Sequence, residues 1–103
     1  MTTQLRIYRI EDGMLDDFVE AWEGGVRPLR ERLGFRVDGA WVDRDRNRFV
    51  WLVSYDGPET FEEQNAAYYA SPERAALTPD PAELIVEADT GFVEPVWSAD
   101  TSE

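Results

Sequence analysis
The chain has 103 residues, the size of one domain, and its 43% hydrophobic and 13% aromatic content is too high for a disordered polymer. Its net charge of -12 comes from 22 acidic side chains against 10 basic ones, all of them Arg, so nucleic-acid phosphates and anionic membrane surfaces are excluded as partners by repulsion. It has no Cys and no His. Disulfides, thiolate nucleophiles, the commonest general base and the usual ligands of zinc and haem iron are therefore missing, and neither a metal site nor a cofactor is expected.

No apolar run reaches the length of a signal peptide or a membrane span, so the expected location is cytoplasmic. Gln4 to Glu11 alternates as a first strand, with Leu5 and Ile7 on one face and Tyr8 and Ile10 on the other. Asp12-Gly13 ends it. From Met14 the period becomes helical: Leu15, Phe18, Val19, Trp22, Val26, Leu29 and Leu33 form one stripe. Gly34 stops this helix, and Pro28 within it predicts a kink near Gly24-Gly25. Phe35 to Asp43 reads as a second strand, with Phe35, Val37 and Trp41 on one face and a bulge at Gly39. The charged turn Asp43 to Asn47 leads into a third strand, Arg48 to Tyr55, apolar on both faces and so central.

Asp56-Gly57-Pro58 turns the chain. Thr60 and Glu63 fit a capping box for a second helix that runs to Ala70 and carries Tyr68 and Tyr69. Ser71-Pro72 stops it and starts a short further turn through Leu77. Leu84 to Val96 reads as a last strand, broken near Thr90-Gly91, and residues 98–103 as a polar tail beyond a single domain at 1–97. The order β-α-β-β-α-β predicts an α+β, ferredoxin-like fold: a four-stranded antiparallel sheet with both helices on one face. The helices leave the other, equally apolar face uncovered, which predicts a homodimer packed sheet to sheet.

Candidate site residues follow from this arrangement. Trp51, Tyr55, Tyr68 and Tyr69 combine flat apolar surface with hydroxyl handles, suited to a small apolar or aromatic ligand between sheet and helices. Tyr68 and Tyr69 are adjacent on one helix and cannot both face the core. For the Trp residues, packing in the core and the dimer is the preferred explanation. Arg27, beside the predicted kink, offers a guanidinium fork for a carboxylate or enolate, with Arg30 nearby; compensation of the helix dipole explains both without a ligand. Asp38 interrupts an apolar strand. No catalytic residue is assigned.

Several of these stretches resemble one family in their order and spacing: Leu5 to Ile10 leading into Gly13-Met14-Leu15-Asp16-Asp17-Phe18, Val26-Arg27-Pro28-Leu29-Arg30, Gly39-Ala40-Trp41, Trp51-Leu52-Val53-Ser54-Tyr55 and Tyr69-Ala70-Ser71-Pro72-Glu73-Arg74. The chain is similar to NIPSNAP-like proteins of the dimeric α+β barrel superfamily. That resemblance implies the same fold and dimer, no assigned reaction, and a site between sheet and helices. The wider superfamily includes cofactor-independent monooxygenases, polyketide cyclases and isomerases, and haem-degrading enzymes whose axial histidine is missing here. Three functions stay open: a small-molecule binder, a cofactor-independent enzyme, and a non-catalytic structural or regulatory dimer.

Overall fold
The computed structural model describes residues 1–97 and Ala99; the rest of the expected tail 98–103 lies outside the described residues. Strand β1 (Thr2–Ile10) buries Gln4, Arg6, Tyr8 and Ile10 on one face. Gly13, at φ 78, makes the turn into helix α1 (Leu15–Ala21), whose first turn holds Asp16 and Asp17 where the helix dipole favours them. Trp22–Val26 then wind as a π-helical turn, with the Arg27 N–H donating to the Trp22 carbonyl, before helix α2 (Arg27–Arg32). This is the form the expected kink takes. Pro28 has no N–H to donate, and the wide turn places it at the start of α2, where none is needed.

Strands β2 (Phe35–Asp43) and β3 (Arg48–Tyr55) form the expected hairpin, closed by a 3-10 turn at Arg44–Arg46 and by Asn47 in the left-handed region. Helix α3 (Phe61–Ala70) starts at a complete Thr60–Glu63 capping box. Ser71 accepts from the Arg74 N–H and opens the short helix α4 (Pro72–Ala75). A 3-10 turn at Pro81–Leu84 leads into β4 (Ile85–Val93). The sheet is antiparallel with order β2-β3-β1-β4, and the buried faces of the helices share one core with Tyr8, Ile10, Phe49, Trp51, Val53 and Tyr55. This is the ferredoxin-like arrangement with helices on one face. Among the described residues no helix is long and apolar enough to cross a membrane.

Two expectations about strands need correction. Trp41 does not share a face with Phe35 and Val37. The register slips between Val37 and Gly39, so Asp38 is an extra residue and parity reverses: Val37 pairs with Val53 on the helix side, while Trp41 pairs with Val50 on the outer side. The Trp41 ring then lies across Gly39, where a Cβ would come 2.6 Å from its Cη2, so the close approach requires glycine. The last strand is also unbroken at Thr90-Gly91 and ends at Val93. Its ladder to β1 runs continuously from Thr3–Val93 to Arg9–Glu87, and the irregularity falls at Arg9/Ile10 instead.

Candidate functional site
The alternation of β1 and β3 and the stripe of the α1–α2 segment send large side chains into one space. Phe18 meets Tyr8 edge-on with ring centroids 5.8 Å apart, Trp22 packs on Phe49 at 5.0 Å, and Trp22 meets Trp51 at 5.3 Å. These rings do not fill the space. A partly open cavity of about 190 Å³ remains between sheet and helices, walled by Tyr8, Phe18, Trp22, Trp51 and Tyr68, with Tyr69, Arg74, Pro81 and Ala88 also in its lining. An apolar cavity of about 150 Å³ is enough to hold benzene.

Two guanidinium groups are buried in this wall. Arg30 is 1% exposed and Arg6 is 8% exposed. Arg6 Nε donates to Tyr8 Oη at 2.6 Å, Nη1 to Gln4 Oε1 at 2.6 Å and Nη2 to Tyr69 Oη at 3.0 Å. Arg30 Nη1 donates to Asn65 Oδ1 at 2.8 Å. Its Cζ lies 3.8 Å from the Tyr68 ring centroid and 4.7 Å from that of Phe35. Contacts of this kind contribute about 2 kcal/mol when desolvated, against a burial cost of several kcal/mol per ion. Burial, reinforced by the charge of Arg6, pulls the Arg30 pKa down from its ordinary value. Burial acts the same way on Arg6, but the phenol oxygens of Tyr8 and Tyr69 outweigh it.

The cavity wall also concentrates unpaired polar atoms. Trp22 Nε1, Trp51 Nε1, Arg30 Nε, Arg74 Nε and Tyr68 Oη are buried with no hydrogen-bond partner among the described residues, and all five residues line this cavity. Four of the five atoms can only donate. Leaving a buried donor unpaired costs about 1–3 kcal/mol, so such a cluster in one place calls for acceptors. Burial holds the Tyr68 phenol above its ordinary 10.0, protonated at neutral pH.

The phenol also sets a pH dependence. As pH rises through 10.0 the unfolded chain ionises first while the folded chain keeps its proton. The Tyr68 contribution is therefore fully present below that pH and lost above it, until the higher folded pKa is reached. Tyr68→Phe is expected to flatten part of the alkaline loss. It should also raise stability at pH 7 by about 1 kcal/mol, since the hydroxyl has no partner. Urea midpoints between pH 7 and 11.5 check both. A residual alkaline loss belongs to Tyr55, whose phenol is raised by its hydrogen bond to Glu59.

The cavity brings together three of the five candidate residues. Trp51 and Tyr68 form its wall, each 1% exposed. Tyr69 is 48% exposed, yet its hydroxyl reaches Arg6 and roofs the space. Tyr55 lies away from it, packed on Phe35 at 5.2 Å with its hydroxyl donating to Glu59 at 2.6 Å. Arg27 points outward and pairs with Glu31 at 3.3 Å. Asp38 sits on the outer face, accepting from Ser54 and paired with Arg36. Sequence reasoning overlooked Arg6 and ranked Arg27 above Arg30. The signals were present: Arg6 shares the parity of Tyr8 and Ile10, and Arg30 follows Val26 by four residues, next to the buried stripe. No metal-holding cluster occurs among the described residues.

Comparison with known proteins agrees with this architecture. The NIPSNAP family model matches residues 3–99. A NIPSNAP domain protein from Burkholderia xenovorans has 22% sequence identity, with 100% of each chain covered and a TM-score of 0.79. A NIPSNAP family protein from Agrobacterium tumefaciens has 18% identity over 91% of each chain, TM-score 0.78. An antibiotic biosynthesis monooxygenase has 14% identity, covering 93% of this chain and 99% of its own, TM-score 0.67. At these identities the likeness is one of fold. No curated protein matches the sequence.

Proposed function
The chain belongs to the NIPSNAP family, and from that premise we propose that it binds a small, planar, mainly apolar molecule in the helix–sheet cavity of a homodimer. The observation that carries this reading is the cavity itself: about 190 Å³ of space among aromatic rings, where packing alone would close it. A dimer whose aromatics serve only packing has no reason to keep unpaired donors there. Titration of tryptophan fluorescence with one- and two-ring aromatic compounds tests it. Saturable quenching is expected in the parent protein and none after Ala88→Phe, which fills the cavity from β4. Equal quenching in both proteins would place the binding elsewhere.

The homodimer in this proposal uses the uncovered sheet face. Leu5, Ile7, Val50 and Leu52 are adjacent there on the two central strands, flanked by Trp41, which is 54% exposed. Arg9, Arg48, Glu87 and Asp89 form a charged margin, the pattern of an apolar interface with a polar rim.

A second reading, cofactor-independent turnover of the bound molecule as in a monooxygenase or a polyketide cyclase or isomerase, is favoured by one feature. Tyr68 Oη is protonated and unpartnered on a ring whose face carries the Arg30 guanidinium, and as a proton donor it can serve a developing oxyanion. Under that reading Tyr68→Phe keeps binding and loses turnover.

A further inference from the structure
Acids outnumber arginines 22 to 10 in this chain, yet the cavity wall contains Arg6, Arg30 and Arg74 and no Asp or Glu. Arg74 has its own carboxylate, Asp80, at 3.1 Å. Arg6 and Arg30 have none among the described residues; their partners are the neutral oxygens of Gln4, Tyr8, Tyr69 and Asn65. Both guanidinium carbons lie 5.7 Å from the Trp51 ring centroid, so two positive charges flank one indole. A protein this acidic had many carboxylates with which to neutralise them, and buried charges are ordinarily paired. The indole N–H groups of Trp22 and Trp51 and the Nε–H of Arg30 are buried without a partner among the described residues and can only donate.

We infer that the ligand of this cavity is an organic anion, a planar molecule whose carboxylate or enolate oxygens lie against Arg30 and Arg6 beside Trp51. This rests on the cavity being the binding site. The anion supplies the missing counter-charge to Arg6 and Arg30. A cationic molecule of the same shape meets the charges of Arg6 and Arg30 with no carboxylate in the wall to offset them, so the site disfavours it. The aromatic walls hold the plane of the ligand, while the guanidinium groups fix which end enters.

Matched ligands test this. Calorimetric titration at pH 7 compares 2-naphthoate with 2-naphthamide, and benzoate with benzamide, for the parent protein, Arg30→Met and Ala88→Phe. The carboxylates are expected to bind at least tenfold more tightly than the amides. Arg30→Met should reduce that preference to twofold or less, and Ala88→Phe should abolish binding of both. Equal affinity for carboxylate and amide in the parent protein would overturn the anion while leaving the cavity as the site. Failure of all four to bind, or binding that survives Ala88→Phe, would overturn the cavity reading and the anion with it. The parent comparison stands on its own if Arg30→Met does not fold.

Discussion
Arg30→Met is expected to make the unliganded protein more stable while it removes the preference for anions. Arg30 is 1% exposed, and its side chain has a single hydrogen bond among the described residues, to a neutral carboxamide. Removing its charge recovers a desolvation cost of several kcal/mol. Against that stand a cation–π contact of about 2 kcal/mol and one charge-assisted hydrogen bond of about 1.5–3 kcal/mol. Met is unbranched, comparable in length and favourable against aromatic rings, so it can lie on Tyr68 and Phe35 where the guanidinium lies now. Asn65 is half-buried and can turn to water. The balance favours Met by about 1 kcal/mol, which for a domain of this size raises Tm by about 4–8 °C. Opposite signs for stability and binding mark a residue kept for its ligand. A fall in Tm of similar size would show Arg30 to be a structural residue, and the reason for expecting an anion would go with it.

Leu52→Glu is expected to leave the fold intact and to turn dimers into single chains. Leu52 pairs with Leu5 in the register of the central strands and lies on the uncovered face, half-buried. Its replacement therefore spares the helix-side core formed by Phe49, Trp51, Val53 and Tyr55. In a two-fold dimer the same patch meets itself, so each introduced carboxylate is desolvated near its symmetry mate. Like charges brought together in an interface cost several kcal/mol, enough to weaken association by more than a hundredfold. Light scattering behind size-exclusion chromatography at micromolar concentration should give twice the 11.8 kDa chain mass for the parent and that mass once for the variant. A monomeric parent, or a dimeric variant, would remove the sheet face as the interface.

The fold was legible because its signals are local and agree with one another. The alternation of β1 and β3, the stripe from Leu15 to Leu33 and the Thr60–Glu63 capping box each specify one element, and their order specifies the topology. Pro28 announced a disturbance but not its form, since a kink and a π-turn both free the backbone from the missing N–H. The face of Trp41 was hidden because a single extra residue at Asp38 reverses every side chain after it, and composition does not fix where within Val37–Gly39 the slip falls. At the site, the tyrosines were recognisable as a type, but which of them shared a space was not. Tyr55 has the same strand parity as Trp51, yet it lies four residues further along β3, at the other end of the core, against Phe35 and Glu59. Arg6 stands out less because charge on a strand is ordinarily solvated. Only the register puts it opposite Trp51.

The indole N–H groups give the most direct measurement. Trp22 and Trp51 line the cavity and their Nε1 atoms are buried without a partner among the described residues, while Trp41 lies on the outer sheet face and Trp97 is 81% exposed. In ¹H–¹⁵N spectra recorded during titration with 2-naphthoate, the side-chain resonances of Trp22 and Trp51 should move as their rings gain a stacked neighbour, and those of Trp41 and Trp97 should stay in place. Movement confined to Trp41 and Trp97, with Trp22 and Trp51 unchanged at saturation, would contradict binding between sheet and helices.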